Sequence, residues 1–192
     1  MMSRSLVVAT AILLAAIFAL GFYALHLKHS AELQISSVAD AGPVAMPING
    51  SNESVQLFIA NDDIGGLSRQ TVAVSLPPDP QQRARELLRA LILQYASPQS
   101  AHRLGKGADV NSVFLVNDIA VVNVNAAFAD THPSGVLVEQ LTLDSIAKTL
   151  AANVKGVSKL KLVVDGKERE TLAGHADLAN LYDVSSSMEA VK

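Results

Sequence analysis

Histidine is the side chain best suited to acid–base chemistry near neutral pH, and the chain has five of them. They are His26, His29, His102, His132 and His175. His175 is the best single candidate, because Gly174 precedes it and Asp177 lies two residues further along. A histidine near an aspartate in a loop is nevertheless far more often a structural hydrogen bond or an exposed side chain than an acid–base dyad. No two histidines after residue 54 have the spacing of a metal-binding pair on one element.

Two segments that contain glycine have some features of ion-binding loops. Asp62 and Asp63 precede a pair of glycines and could bind a hard cation, but this loop supplies too few spaced oxygens for a calcium site. The LGKG segment at residues 104–107 suggests a phosphate loop, but the full spacing is missing and Asp109, rather than Ser or Thr, follows nearby. We therefore interpret residues 62–66 as a turn and residues 104–107 as a surface connection.

The remaining side chains that could do chemistry lie in no recognisable catalytic motif. The serines considered as nucleophiles lie in no nucleophile elbow; they are Ser68, Ser112 and Ser145. Three acidic residues fall on polar helical positions, where solvation explains them: Glu86, Glu139 and Asp144. The chain has no cysteine, which excludes thiolate catalysis, thiolate metal sites, disulfides and a lipid-modified cysteine anchor. The sequence therefore predicts no catalytic, cofactor-binding or metal-binding residue, and no enzyme.

Charge and aromatic content argue against a nucleic-acid partner. The chain has 15 Lys and Arg against 18 Asp and Glu, and a formal net charge of −3. The basic residues form no run, Trp is absent, and there are only three Tyr and five Phe. A basic surface on which bases could stack would have little to build with.

The first half of the region after residue 54 predicts two strands and a helix. VQLFIA at residues 55–60 alternates with the period of a strand, and residues 71–76 form a second β-rich run. A proline-rich break then opens a helix, with Asp79 placed to cap it and Pro80 in its first turn. The apolar stripe of this helix is formed by Ala84, Leu87, Leu88, Leu91, Ile92 and Tyr95.

The second half repeats this pattern. Residues 113–116 and 119–124 form a hairpin around Asn117-Asp118, and a second helix stops at Gly156. A strand at residues 160–164 then turns at Asp165-Gly166 and returns over residues 167–172. The order ββαββαβ(β) predicts the α+β class, with one mixed, mainly antiparallel sheet and both helices packed on one face.

Residues 6–27 predict a membrane span. This run contains no formally charged side chain, and as a helix it would be roughly 33 Å long, against the ~30 Å hydrocarbon core of a bilayer. A cleaved signal peptide is the alternative, with Ala19 and Gly21 as the small residues of the cleavage site, but the apolar run continues beyond them. We expect a signal anchor, with the short end in the cytoplasm and the domain exported.

These features divide the chain into five parts. We predict a cytoplasmic leader at residues 1–5, a transmembrane signal anchor at 6–27 and a flexible linker at 28–54. An α+β domain follows at residues 55–178, and a loose tail at 179–192. The linker, as a flexible coil, has an end-to-end distance of roughly 30 Å, so the domain can stand away from the membrane.

Four segments of the domain resemble the GerM N-terminal-type (GerMN) domain of bacterial envelope proteins. They are VQLFIA followed by Leu67, the helix end LLRALIL, the block DVNSVFLVNDIAVVNVNAAF, and the closing SIAKTLAANVKGVSKLKLVVDGKERETLAGHADL. The closing block is the most specific of these. The family's usual Gly-Pro after the first helix is replaced here by Ala96-Ser97-Pro98, and the lipid-anchor cysteine of some members is replaced by the apolar run.

The resemblance implies an exported, membrane-tethered domain that acts by contact in sporulation or other envelope assemblies. It brings no catalytic residues with it. The expected partner is another envelope protein or a cell-wall glycan, with the lipid bilayer bound through residues 6–27, and the expected location is the cytoplasmic membrane, with the domain in the periplasm or outside the cell. The alternative is an envelope hydrolase, which requires a concave pocket that places His175 or His132 beside a carboxylate.

Overall fold

The computed structural model describes residues 50–187 and 190–191. The strands are β1 (Ser51–Asn61), β2 (Gly66–Leu76), β3 (Val110–Val116), β4 (Ile119–Val124), β5 (Lys159–Val164), β6 (Tyr182–Asp183) and β7 (Ala190–Val191). The helices are α1 (Pro80–Tyr95), α2 (Ala126–Asp130) and α3 (Val136–Asn153), and a 3₁₀ turn covers Val184–Ser186. The predicted membrane span, residues 6–27, lies outside the described residues. Within them, no helix combines the length and the apolar character that crossing a bilayer requires.

Local sequence signals account for most of these boundaries. The Asp79 side chain accepts a hydrogen bond from the Gln82 backbone N–H at 2.9 Å, and Pro80 starts α1 where its missing N–H costs nothing. Asn117 has a φ of 56°, as the tight β3–β4 hairpin requires. Gly156, with a φ of 88°, follows the end of α3. The predicted helices and this hairpin are therefore confirmed.

The strands form two sheets, in the orders β1-β2-β7 and β3-β4-β5-β6. The second sheet is mixed, because β4 and β5 are parallel while β3 and β6 pair antiparallel at its two ends. The α+β class is confirmed, but the prediction of one sheet is wrong. Helix α1 contacts both β2 and β3, so the two hairpins are joined through a helix and not through a strand ladder.

The predicted return strand at residues 167–172 is also wrong. The chain turns at Asp165 and Gly166, both with positive φ, and then makes only isolated bridges, Val164 to Lys167 and Thr171 to Asp177. It folds back on itself instead, with the Leu172 N–H donating to the Ala176 carbonyl at 3.0 Å. The resulting loop lies against the start of α3.

Regular structure extends beyond the predicted domain limits of residues 55–178. Strand β1 begins at Ser51, inside the predicted linker, because β2 offers a partner as far as Leu76. In the predicted loose tail, β6 pairs with β5 and β7 pairs with β2. The short helix α2, which Asn125 caps, was not predicted.

One apolar core joins both sheets and the two long helices. Leu57 and Leu67 enter it from the first sheet, and Val122 and Leu160 from the second. Its largest fully buried side chains are Tyr95, Phe128, Leu57, Leu67, Leu76, Leu87, Leu88, Leu91, Leu141, Ile146, Leu150 and Leu160.

Polar side chains of α3 close the outer edge of β1. The Asn153 amide accepts from the Gln56 N–H at 3.0 Å and donates to the Gln56 carbonyl at 2.7 Å. One turn earlier, the Thr149 hydroxyl accepts from the Phe58 N–H at 3.0 Å. Because residues four apart lie on one side of a helix, these side chains follow β1 like a neighbouring strand.

The same edge is completed nearer the start of α3. The Ser145 hydroxyl donates to the Phe58 carbonyl at 2.5 Å, and the Tyr95 hydroxyl of α1 accepts from the Ala60 N–H at 2.9 Å. The two hydroxyls also bond to each other. Burial is the main reason that the pKa of Tyr95 rises to about 12.

Candidate functional site

Glu139, in the first turn of α3, is fully buried and is a carboxylate with a complete set of donors. Its Oε2 accepts from the backbone N–H groups of Ala173, His175 and Ala176 at 2.9–3.0 Å. Its Oε1 accepts from the Gly135 N–H at 3.1 Å and lies 2.9 Å from the Nδ1 of His175. The carboxylate therefore holds the loop at residues 173–176 against the start of the helix.

This environment keeps Glu139 ionised. Burial by itself raises the pKa of Glu139, but the N–H groups of Ala176 and Ala173, the His175 ring and the His175 N–H outweigh it and lower that pKa to about 2. The prediction that solvation accounts for Glu139 is wrong, because the folded-back loop covers this side of α3.

His175 pairs with Glu139 and not with Asp177, its neighbour in the sequence. Its side chain is 43% exposed, and its Nδ1 also lies 3.4 Å from the Ser134 hydroxyl. Asp177 instead accepts from the Ala179 N–H and the Asn180 side chain. The histidine–carboxylate contact that the hydrolase alternative requires is thus present, but both carboxylate oxygens are already engaged by backbone donors.

A second polar cluster links the β1–β2 turn to α3. The Nδ1 of His102 lies 2.7 Å from a carboxylate oxygen of Asp62, and its Nε2 lies 2.9 Å from the Thr142 hydroxyl. The same hydroxyl lies 2.7 Å from the Nε2 of His132. His102 is fully buried and touches the Tyr95 ring edge-on.

The series Asp62–His102–Thr142 has the order of contacts of an acid–histidine–nucleophile triad, but not its chemistry. A triad needs a hydroxyl that a substrate can reach. Thr142 is fully buried, and its hydroxyl also lies 3.1 Å from the Val138 carbonyl, one helical turn earlier. We therefore assign this cluster a structural role. The two contacts of the His102 ring each join residues 40 apart, and no local sequence signal indicates them.

No carboxylate among the described residues forms a hydrogen bond or an ion pair with His132. Its Nδ1 donates to the Pro133 carbonyl at 2.7 Å, and its exposure is only 7%. Burial lowers the pKa of His132, and the Pro133 carbonyl only partly opposes that effect. His132 is thus a neutral core histidine at neutral pH.

Asp144 is also buried, which corrects the prediction that solvation accounts for it. The Tyr182 hydroxyl donates to Asp144, and the Gln140 amide contacts both groups at 2.8–2.9 Å. Burial is the main cause that raises the pKa of Tyr182, and the hydrogen bond to Asp144 raises it further. This contact fastens β6 to α3.

The remaining predicted candidates are dispersed. Ser145 belongs to the β1 edge contacts, and Ser112 is buried with no hydrogen-bond partner within the described chain. A Cβ at Gly105 would lie 1.6 Å from the Thr131 hydroxyl, so the 104–107 segment is packed against its neighbour. Residues 62–65 form the β1–β2 turn, and Gly66 begins β2. No group of three or more potential metal ligands occurs in the part of the chain that the structure describes.

An open groove of about 280 Å³ lies between the first sheet and the end of α1. Its lining residues are neutral: Ile59, Ala60, Asn61, Ser68, Gln70, Gln94, Ser97, Gln99, Ser100 and Ala101. Neither His175 nor His132 lines it, so the groove does not supply the pocket that the hydrolase alternative requires.

A family model described as "Germane: Sporulation and spore germination" matches residues 56–170, which is more than half of the chain. The chain belongs to the Germane family. The resemblance to GerMN domains drawn from the sequence is therefore confirmed, and the matched range includes α1, α3 and strands from both sheets. No curated protein matches this Germane chain.

Solved structures similar to this Germane chain include one from Clostridium perfringens and two from Bacillus subtilis. A candidate lipoprotein from Clostridium perfringens is 19% identical, with a TM-score of 0.48, over 74% of this chain and 93% of that one. The tandem GerMN domains of the sporulation protein GerM from Bacillus subtilis are 19% identical, with a TM-score of 0.49, over 67% of this chain and 44% of that one. The first GerMN domain of GerM is 17% identical, with a TM-score of 0.46, over 66% and 92%.

Proposed function

We propose that this Germane chain is a noncatalytic interaction module of the bacterial cell envelope, tethered to the cytoplasmic membrane and exposed on its outer side. It acts by binding another envelope protein or a cell-wall glycan. The family description, sporulation and spore germination, supports a role in such assemblies. The apolar run at residues 6–27 supports the tether.

The observation that carries this proposal is that the side chains capable of catalysis are used for hydrogen bonds inside the domain. Glu139 takes its hydrogen bonds from the loop at residues 173–176 and from the Gly135 N–H, and Thr142 is buried among two imidazoles and a carbonyl. A hydrolase needs such groups free to meet a substrate. Because they hold loops to α3 instead, they support a rigid body that presents a surface.

One observation favours a second candidate, an envelope hydrolase. His175 is partly exposed and contacts the carboxylate of Glu139, as a general base oriented by an acid would. This candidate uses the same two residues for catalysis, so their variants separate the two proposals.

The first test uses the full chain in detergent, mixed with purified cell-wall sacculi. We expect the protein to release no soluble fragments above a buffer control. His175→Gln in the native gene should support cell function like the original residue, with its melting temperature checked in parallel. Release of fragments by the unmodified chain that His175→Gln abolishes, without a loss of folding, would establish the hydrolase and overturn the noncatalytic module.

A further inference from the structure

The two edges of the first sheet differ in the hydrogen bonding of their outward backbone groups. Along β1, side chains of α3 and α1 bond to outward backbone groups of Gln56, Phe58 and Ala60. Along the other edge, β7 pairs in parallel with Leu67 and Ser68 of β2 only. The remainder of β2, residues 70–76, has no strand beside it in the described part of the chain.

The pairing register identifies the backbone groups that point outward. In antiparallel strands, alternate residues bond to one neighbour and then to the other side. Gln56 and Phe58 of β1 bond to α3, so the odd-numbered residues of β1 bond to β2. The residues of β2 that pair with them have even numbers. The N–H and C=O groups of Thr71, Ala73 and Ser75 therefore point to the open side. All three residues are exposed, and none of these groups has a partner among the described residues.

This edge lacks the features that usually prevent edge-to-edge association. Its sequence, QTVAVSL, contains no charged residue and no proline. Its central residues favour strands, and Val72 and Val74 are half-buried on one face. β7 limits the open segment at one end, and Pro77, which has no N–H, limits it at the other.

We propose that residues 70–76 pair antiparallel with the same residues of a second copy of this chain, about a two-fold axis at Ala73. Thr71 then faces Ser75 of the second copy, and Ala73 faces Ala73, giving about six backbone hydrogen bonds. This register uses the whole open segment, and the second copy's strand ends at Leu76, opposite Gln70, before it reaches β7.

Side chains favour the second copy as the occupant. In this register Val72 of one copy lies opposite Val74 of the other, and such β-branched cross-strand pairs stabilise sheets. The segment is neutral, so two copies meet without like-charge repulsion. The two sheets join as β1-β2-β2-β1, whose outer edges are the β1 edges that α3 closes.

The absence of cysteine permits a direct test with single-cysteine variants of the full chain, purified in detergent. In the proposed register Ala73→Cys places two thiols on residues whose Cα atoms are about 5.5 Å apart, within the range of a disulfide. Thr71→Cys is the matched control, because its two copies are four residues apart in register, roughly 13 Å. We expect oxidation to link Ala73→Cys on the order of tenfold faster or more. Equal rates for the two variants would overturn the proposal.

A second variant tests the main-chain pairing. Ala73→Pro removes an N–H that has no partner within the copy, so β2 is expected to stay folded while the dimer is lost. Light scattering should change from a dimer to a monomer, with far-ultraviolet circular dichroism unchanged. If the unmodified chain is monomeric, the proposal fails. Slow amide exchange at Thr71, Ala73 and Ser75 in that monomer would then mean that another segment of the same chain covers the edge.

Discussion

At the scale of single residues, Glu139 holds the loop at residues 173–176 against the start of α3. Its two oxygens accept from the loop at residues 173–176 and from Gly135, and the Glu139 residue itself is fully buried. A buried carboxylate is costly unless its hydrogen bonds are complete, and here they are. Removing the Glu139 charge is therefore expected to weaken the attachment of the loop at residues 173–176 to α3.

Glu139 predicts a loss of stability at acid pH. Its folded pKa is about 2, against an ordinary value of 4.5. The unfolded chain therefore takes up the proton first, and the stabilisation, complete above pH 4.5, is lost as the pH falls through 2. The lowered pKa corresponds to about 3 kcal/mol of unfolding free energy. Urea unfolding of the full chain at a series of pH values measures it.

Glu139→Gln is the control for this prediction, because it keeps the shape and removes the titration. We expect the variant to be less stable at pH 7 and to show a shallower fall between pH 5 and pH 2. A fall as steep as that of the unmodified chain would assign the acid sensitivity to other carboxylates.

At the scale of elements, α3 is unusual because one stripe of a central helix is polar and still buried. Thr149 is fully buried and hydrogen-bonds to β1, and Asn153 continues the contact one turn later. Exposed edge strands promote aggregation, and this helix protects one without adding a strand. On its other side, α3 contributes Leu141, Ile146 and Leu150 to the apolar core.

Thr149→Val is expected to destabilise the domain by about 1–3 kcal/mol, because it leaves the Phe58 N–H without a partner while conserving volume. Thr149→Ser keeps the hydroxyl and should recover part of this loss. Urea denaturation of the three proteins provides the comparison. A valine variant as stable as the original would mean that water or a rearranged β1 satisfies the Phe58 N–H.

At the scale of the whole molecule, we propose that the predicted anchor determines where the domain acts. Residues 6–27 are long enough for a bilayer, and we expect the residues after Ser54 to lie outside the cytoplasm. A reporter that is active only outside the cytoplasm, fused after Ser54, should be active. The same fusion lacking residues 6–27 should be silent.

Membrane washing distinguishes the anchor from the cleaved signal peptide. We expect the native product to retain residues 6–27 and to stay in the pellet after an alkaline wash. A product that begins near Phe22 and washes into the soluble fraction would favour cleavage at the small residues Ala19 and Gly21.

Local patterns determined the two long helices, the β3–β4 hairpin, the α+β class and the family of this chain. Asp79 at a helix start and Asn117 in a hairpin act through neighbours a few residues away, so the sequence displays them directly. The division into two sheets, the burial of Glu139 and the His102–Thr142 contact were decided by the tertiary structure. Each depends on which distant segment covers a polar group, and periodicity carries no information about contacts 36 to 40 residues apart.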